Sequence, residues 1–169
     1  MFKLGTSNIP FVSSFRYLGH IVSDTLCDNE DVQREIKNTF IRTNMLIRKF
    51  NRCSFFVKCE LFRSYCLSLY DIALWPNYTM PSFNKFRSCY NKCIKSFFGY
   101  SCSYSLTQVL LETGLPSFNT VVHNSACIFA RSWQNCRNAL VEYFNVLNIS
   151  YWLQVLEHTR IVIHTVLIL

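Results

Sequence analysis

Few residues in this chain are of a type and spacing that could do chemistry. Asp24, Asp28, Glu30 and Asp31 fall close together, and clustered carboxylates are what a divalent cation or a proton relay would need. They lie in a turn and at the start of a helical pattern, however. There Asp28 is a candidate N-cap and acidic side chains complement the helix macrodipole, so the expectation is capping. Cys89 and Cys93 stand four apart, and Cys66, Cys102 or a histidine could complete a zinc site. The two-residue spacing of zinc knuckles and ribbons is absent, and the cysteines read as small core hydrophobes. His20, His123, His158 and His164 are scattered, and His20 reads as a structural residue at a strand end. No Ser/His/Asp or Cys/His arrangement follows from spacing, and there is no Gly-rich phosphate loop. No Asp-Asp pair occurs; Tyr70-Asp71 sits in a helical pattern ahead of Trp75-Pro76.

Charge carries the stronger signal. The chain of 169 residues has a net charge of +7. Between Arg34 and Lys95 lie twelve basic residues against Glu35, Glu60 and Asp71, a local +9, which leaves the remainder at −2. Such a surplus points to a polyanionic partner, most simply nucleic acid. With 50% hydrophobic and 16% aromatic residues, but only 4 Gly and 4 Pro, the composition excludes disorder for most of the length and fits one domain with a real core. Nine cysteines are an odd number in a chain too long to need staples, and the N-terminus lacks the apolar region of a signal peptide. The expected setting is reduced and intracellular, with nucleus and cytoplasm left open. The apolar run Ile161–Leu169 is too short to span a membrane and reads as a buried strand or helix end; no membrane partner is expected.

The elements that must position these residues follow from periodicity. Phe2–Leu4, Ile9–Val12 and Phe15–Val22 read as strands separated by Gly5-Thr6-Ser7-Asn8 and Ser13-Ser14 turns. From Asp28 the period becomes helical, with Val32, Ile36, Phe40, Thr43, Ile47 and Phe50 inward and Arg34, Lys37, Arg42, Arg48, Lys49 and Arg52 on the opposite side. A second helix is expected from Ser54 to about Trp75, stopped by Pro76, with Val57, Leu61, Phe62, Tyr65, Cys66, Leu69 and Ala73 apolar and most of its surface in the core. A third runs from near Ser82 to Gly99, with Phe83, Phe86, Tyr90, Ile94 and Phe97 inward and Lys85, Lys92 and Lys95 outward. A fourth follows Ser105, whose spacing to Gln108 is that of a capping box, and stops at Gly114. A fifth, Ser117 to Cys136, is apolar at Phe118, Val121, Val122, Ser125, Ile128, Phe129 and Trp133. Ala139–Leu147 reads as helix, and Tyr151–Leu169 as helix or strand. The fold class is therefore mainly α: a small N-terminal β-hairpin unit followed by a bundle of about five to six helices.

The segment Phe15-Arg16-Tyr17-Leu18-Gly19-His20-Ile21-Val22-Ser23-Asp24 is similar to the F-x-Y-L-G element of reverse transcriptases of non-LTR (LINE-like) retrotransposons, the hairpin called the primer grip. Downstream, Arg34, Arg42-Thr43-Asn44-Met45-Leu46, Arg48-Lys49-Phe50, Val57-Lys58, Leu61-Phe62-Arg63-Ser64-Tyr65-Cys66, Leu69-Tyr70 and Leu74-Trp75 resemble that family's thumb. Tyr90-Asn91-Lys92-Cys93, Phe97-Phe98-Gly99 and Gly114-Leu115-Pro116-Ser117-Phe118 resemble the helical segment behind it. The blocks run in the family's order over about residues 11–133. Asp71 stands where the family commonly has Gly, and the tail after Cys136 lies outside the resemblance.

The resemblance implies a division into a primer-grip-like hairpin (1–24), thumb-like helices (25–76), a following helical segment (77–136) and an unmatched tail (137–169). It implies an RNA-directed DNA polymerase fragment that holds RNA template and DNA primer through Tyr17, Leu18, Gly19, His20, Arg34, Lys37, Arg42, Arg48, Lys49, Arg52, Lys85, Lys92 and Lys95. Basic helix faces suit duplex phosphates, and a glycine in a stiff hairpin permits close backbone approach. The catalytic carboxylates and their Mg²⁺ belong to the family's palm, expected upstream. This chain alone is thus expected to be inactive and without cofactor or metal. A stand-alone basic helical nucleic-acid-binding protein and a degenerate, non-functional retroelement reading frame are the alternatives.

Overall fold

The computed structural model describes residues 2–4, 7–69, 72–139 and 141–142. The Gly5-Thr6 part of the first turn, Tyr70, Asp71 and almost all of the tail, including the Ile161–Leu169 run, lie outside the described residues. The protein is mainly helical, with two small antiparallel hairpins ahead of the helices. These are β1 (Phe2–Leu4) with β2 (Ser7–Ile9), and β3 (Ser14–Tyr17) with β4 (His20–Ser23). Ile9–Val12 is not a strand beyond Ile9, because Pro10 follows and offers no N–H to a ladder. The run Phe15–Val22 is folded back on itself. Tyr17 pairs with His20, Arg16 with Ile21, Phe15 with Val22 and Ser14 with Ser23. Leu18 (φ 48°) and Gly19 (φ 94°) make the two-residue turn, both at positive φ as a type I′ hairpin demands.

Helix α1 (Asn29–Phe50) packs against α2 (Phe55–Cys66) and α3 (Met80–Phe98). Its buried line is Asp31, Val32, Glu35, Thr39, Thr43 and Leu46. That line is turned by roughly 60° from the expected stripe, at about 100° per residue. Phe40 is consequently exposed, and Ile36, Ile47 and Phe50 are half-buried. Four of the buried residues are polar and stand at steps of four: Asp31, Glu35, Thr39 and Thr43. Thr39 and Thr43 satisfy their hydroxyls on the carbonyls one turn back, of Glu35 and Thr39, at 2.9 Å each.

The second helix is shorter than its periodicity predicts. It ends at Cys66 and is followed by a single 3₁₀ turn at Ile72–Leu74. Only Cys59, Phe62 and Cys66 of α2 are buried; Val57 and Tyr65 face solvent. Leu69, Ile72 and Trp75 are all buried beyond the end of α2.

Helix α3 behaves as its pattern predicts. Phe86, Cys89, Tyr90, Cys93, Ile94 and Phe97 are buried, Phe83 is half-buried, and Gly99 closes the helix in the left-handed conformation. Helix α4 (Leu106–Thr113) starts after Ser105 without a side-chain cap bond and buries Val109 and Thr113. Helix α5 (Phe118–Gln134) is capped by Ser117, which accepts the Thr120 N–H at 3.1 Å. Only its first turn enters the core: Phe118 and Val121 are buried, whereas Ile128 is exposed. Phe118 meets the rings of Phe83, Phe86 and Tyr90 at centroid distances of 5.3, 5.0 and 5.6 Å. Phe62 lies against Tyr90 and Phe97 at 6.2 and 6.0 Å. Tyr90, Phe62, Phe86 and Phe118 are among the largest fully buried side chains, and each such ring contributes about 1.5–3 kcal/mol of transfer free energy.

Candidate nucleic-acid interface

The basic residues separate into two groups according to what their charges already touch. Arg34 donates through Nε to Asp31 Oδ1 at 2.6 Å and lies 3.4 Å from Glu35 Oε2 through Nη1. Arg42 is ion-paired with Glu35 and also reaches Thr39 Oγ1 at 3.3 Å. Both were expected on the outward face. Because the buried line of α1 is rotated toward them and carries carboxylates, they turn inward and are half-buried. Lys95 is likewise committed: its ammonium donates to the carbonyls of Cys102 and Tyr104 at 2.8 and 2.7 Å, closing the loop between α3 and α4. In the same corner, Tyr100 and Tyr104 donate to Glu112 at 2.6 and 2.8 Å.

Lys37, Arg48, Lys49 and Arg52 are exposed, as are Lys85 and Lys92 on α3, and none has an ion pair with a described residue. On α1 and the turn just beyond it, Lys37, Arg48 and Arg52 project within roughly 60° of one another. Arg48 and Lys49 also sit in the last helical turn, where cations offset the carbonyl end of the helix dipole. The strip between Lys37 and Arg48 includes exposed Ile41 and Asn44, so the face is basic but not uniformly charged.

The hairpin presents the other set of expected contacts. Tyr17 and Leu18 are 61% and 85% exposed, and Gly19 has nothing within 4 Å of where a Cβ would lie. All four residues of β3 face solvent, whereas all four of β4 are half-buried toward α1. His20 is set apart from the rest of the tip, with Nδ1 3.2 Å from Asp31 Oδ2.

As expected, Asp28 stands at the N-cap of α1 with Glu30 and Asp31 in its first turn, but the acidic side chains serve more than the helix end. Asp28 makes no side-chain cap bond to the helix; its Oδ2 accepts the Asn77 N–H at 2.7 Å instead. Asp31, only 2% exposed, accepts from the Ile21 N–H (2.9 Å), Arg34 Nε, Trp75 Nε1 (2.8 Å) and His20. Burial alone would raise its pKa, but the hydrogen bonds from Arg34, Ile21, Trp75 and His20 hold it down at about 2. These carboxylates do not suit a metal pair: Asp31 has its lone pairs occupied by N–H donors and Glu35 faces Arg42. Among the described residues no group of three His, Cys, Asp or Glu side chains is disposed to hold a metal ion. Cys89 and Cys93 have sulfurs 4.0 Å apart inside the core, and their mutual hydrogen bond and burial raise the Cys89 thiol.

The role of Asp31 is the feature that hydrophobic patterning missed. The signal was present in the spacing: Asp31, Glu35, Thr39 and Thr43 recur every four residues, and Arg34 and Arg42 stand within reach of the two acids. Comparisons with family models, curated proteins and solved structures returned no match. Among the described residues no helix is long and apolar enough to cross a membrane.

Proposed function

We propose that this chain is a nucleic-acid-holding module, the primer-grip and thumb portion of a non-LTR retrotransposon reverse transcriptase, acting on a template–primer duplex. The observation that carries the reading is the division of charge. Arg34 and Arg42 are neutralised inside the fold, yet Lys37, Arg48, Lys49 and Arg52, on and just after α1, remain exposed without a carboxylate partner among the described residues. Unpaired cations along one helix are what phosphate contacts require, and they position a duplex without reading its sequence. The ordered resemblance from Phe15 to Phe118 supports the family assignment. The exposed tip at Tyr17-Leu18-Gly19 supports a close approach to a strand end.

In this reading the α1 cations take phosphates along the duplex, Lys85 and Lys92 supply a second set on α3, and the hairpin meets the primer. Nucleotide transfer belongs to a palm bearing the Mg²⁺-binding carboxylates. The test is titration of the protein into a fluorescein-labelled RNA–DNA hybrid at several salt concentrations. Saturable binding that weakens steeply with salt is expected; absence of binding, or affinity indifferent to salt, refutes the reading. With nucleotides and Mg²⁺ added, no primer extension is expected, and extension by this chain would overturn the assignment of catalysis to another segment.

A further inference from the structure

We infer that Asp31 is the positioning residue that fixes the β3–β4 hairpin to the helices and thereby sets the orientation of its tip. The geometry is that of a filled acceptor. Oδ1 takes the Ile21 N–H and Arg34 Nε; Oδ2 faces His20 Nδ1 and takes Trp75 Nε1. A carboxylate has about four lone-pair sites, and four donors from three parts of the chain meet here. An acceptor-only carboxylate requires the proton of His20 to sit on Nδ1.

The hairpin needs such a joint. A two-residue turn makes Tyr17 and His20 the hydrogen-bonded pair, which leaves Arg16 and Ile21 as the next, non-bonded pair and turns the Ile21 N–H away from β3. Asp31 meets that outward amide as a neighbouring strand would. On its other side β3 is exposed throughout and adds no buried contact of its own. Beside the Ser23–Cys27 bonds at the foot of β4, Asp31 is the buried side chain that joins the hairpin to α1, and Trp75 donates to the same carboxylate.

The test is amide hydrogen exchange on the whole chain, followed by NMR, for native protein and Asp31→Asn. Exchange at Ile21 should accelerate at least about tenfold relative to core amides of α3, and the Trp75 indole N–H resonance should shift. If both are unchanged in a folded variant, the inference is wrong. Should Asp31→Asn not fold, His20→Ala, which removes a half-exposed donor, must still speed Ile21 exchange; unchanged exchange there also overturns it. These measurements use no nucleic acid and stand apart from the proposed function. A second arm rests on that function. Asp31→Asn and Tyr17→Ala should each weaken binding of the RNA–DNA hybrid, and the double variant should be no weaker than the worse single one. Fully additive losses would contradict positioning through the hairpin.

Discussion

Trp75 and Asp31 are joined across forty-four residues by an indole N–H that donates to a buried carboxylate at 2.8 Å. The bond ties the segment after the shortened second helix to the first turn of α1, and through Ile21 and His20 to the hairpin. Replacing Asp31 by Asn leaves buried donors without an ionised acceptor and should cost roughly 3 kcal/mol of stability at neutral pH. Denaturant melts measure it.

The same carboxylate gives an acid dependence of definite sign. Its pKa is held at about 2, below the ordinary 3.8, so its stabilisation is complete above about pH 4 and is lost as the pH falls toward 2. The stability gap between native protein and Asp31→Asn should therefore narrow across that window. A gap of constant size down to pH 2 would show that the charge on Asp31 does not contribute.

Leu18 holds φ 48° while 85% exposed, a conformation that burdens a side chain with a Cβ and gains no burial in return. Leu18→Asn should stabilise the hairpin by about 0.5–1 kcal/mol, read as slower amide exchange at Tyr17 and His20. Faster exchange would mean that the leucine side chain supports the turn.

Gly114 ends α4 at φ 61°, and a Cβ there would lie 3.2 Å from Arg63 Nη2, which donates to the Gly114 carbonyl at 3.0 Å. Gly114→Ala should destabilise by roughly 1–2 kcal/mol, from left-handed strain and a displaced arginine. Thermal unfolding followed by circular dichroism measures the loss.

Much of the fold is legible in the sequence because its signals are local. Ser117 and Gly99 mark helix ends by capping and positive φ, and the aromatic residues of α3 repeat at helical spacing. What was not legible depended on contacts distant in sequence. The helix expected to run to about Trp75 ends at Cys66, Ile72 and Trp75 are buried beyond it, and nothing near Trp75 in the sequence identifies Asp31 as its partner. Arg34 and Arg42 read as a solvated face because periodicity counts every charge as outward. Their partners, Asp31 and Glu35, are on the same helix, but their burial comes from tertiary packing on α1 that periodicity does not reveal. The exposed positions of Lys37, Arg48, Lys49, Arg52, Lys85 and Lys92 agree with the periodicity, and among the described residues none of them meets an acid.

The central claim is that unpaired cations on and after α1 hold phosphates, and the direct measurement is the salt dependence of RNA–DNA hybrid binding by a variant with Lys37, Arg48, Lys49 and Arg52 all changed to Ala. With native helicity and melting retained, the slope of log affinity against log salt should flatten by roughly 0.7–0.9 for each residue that meets a phosphate. A variant that binds with native affinity and native slope would contradict the account.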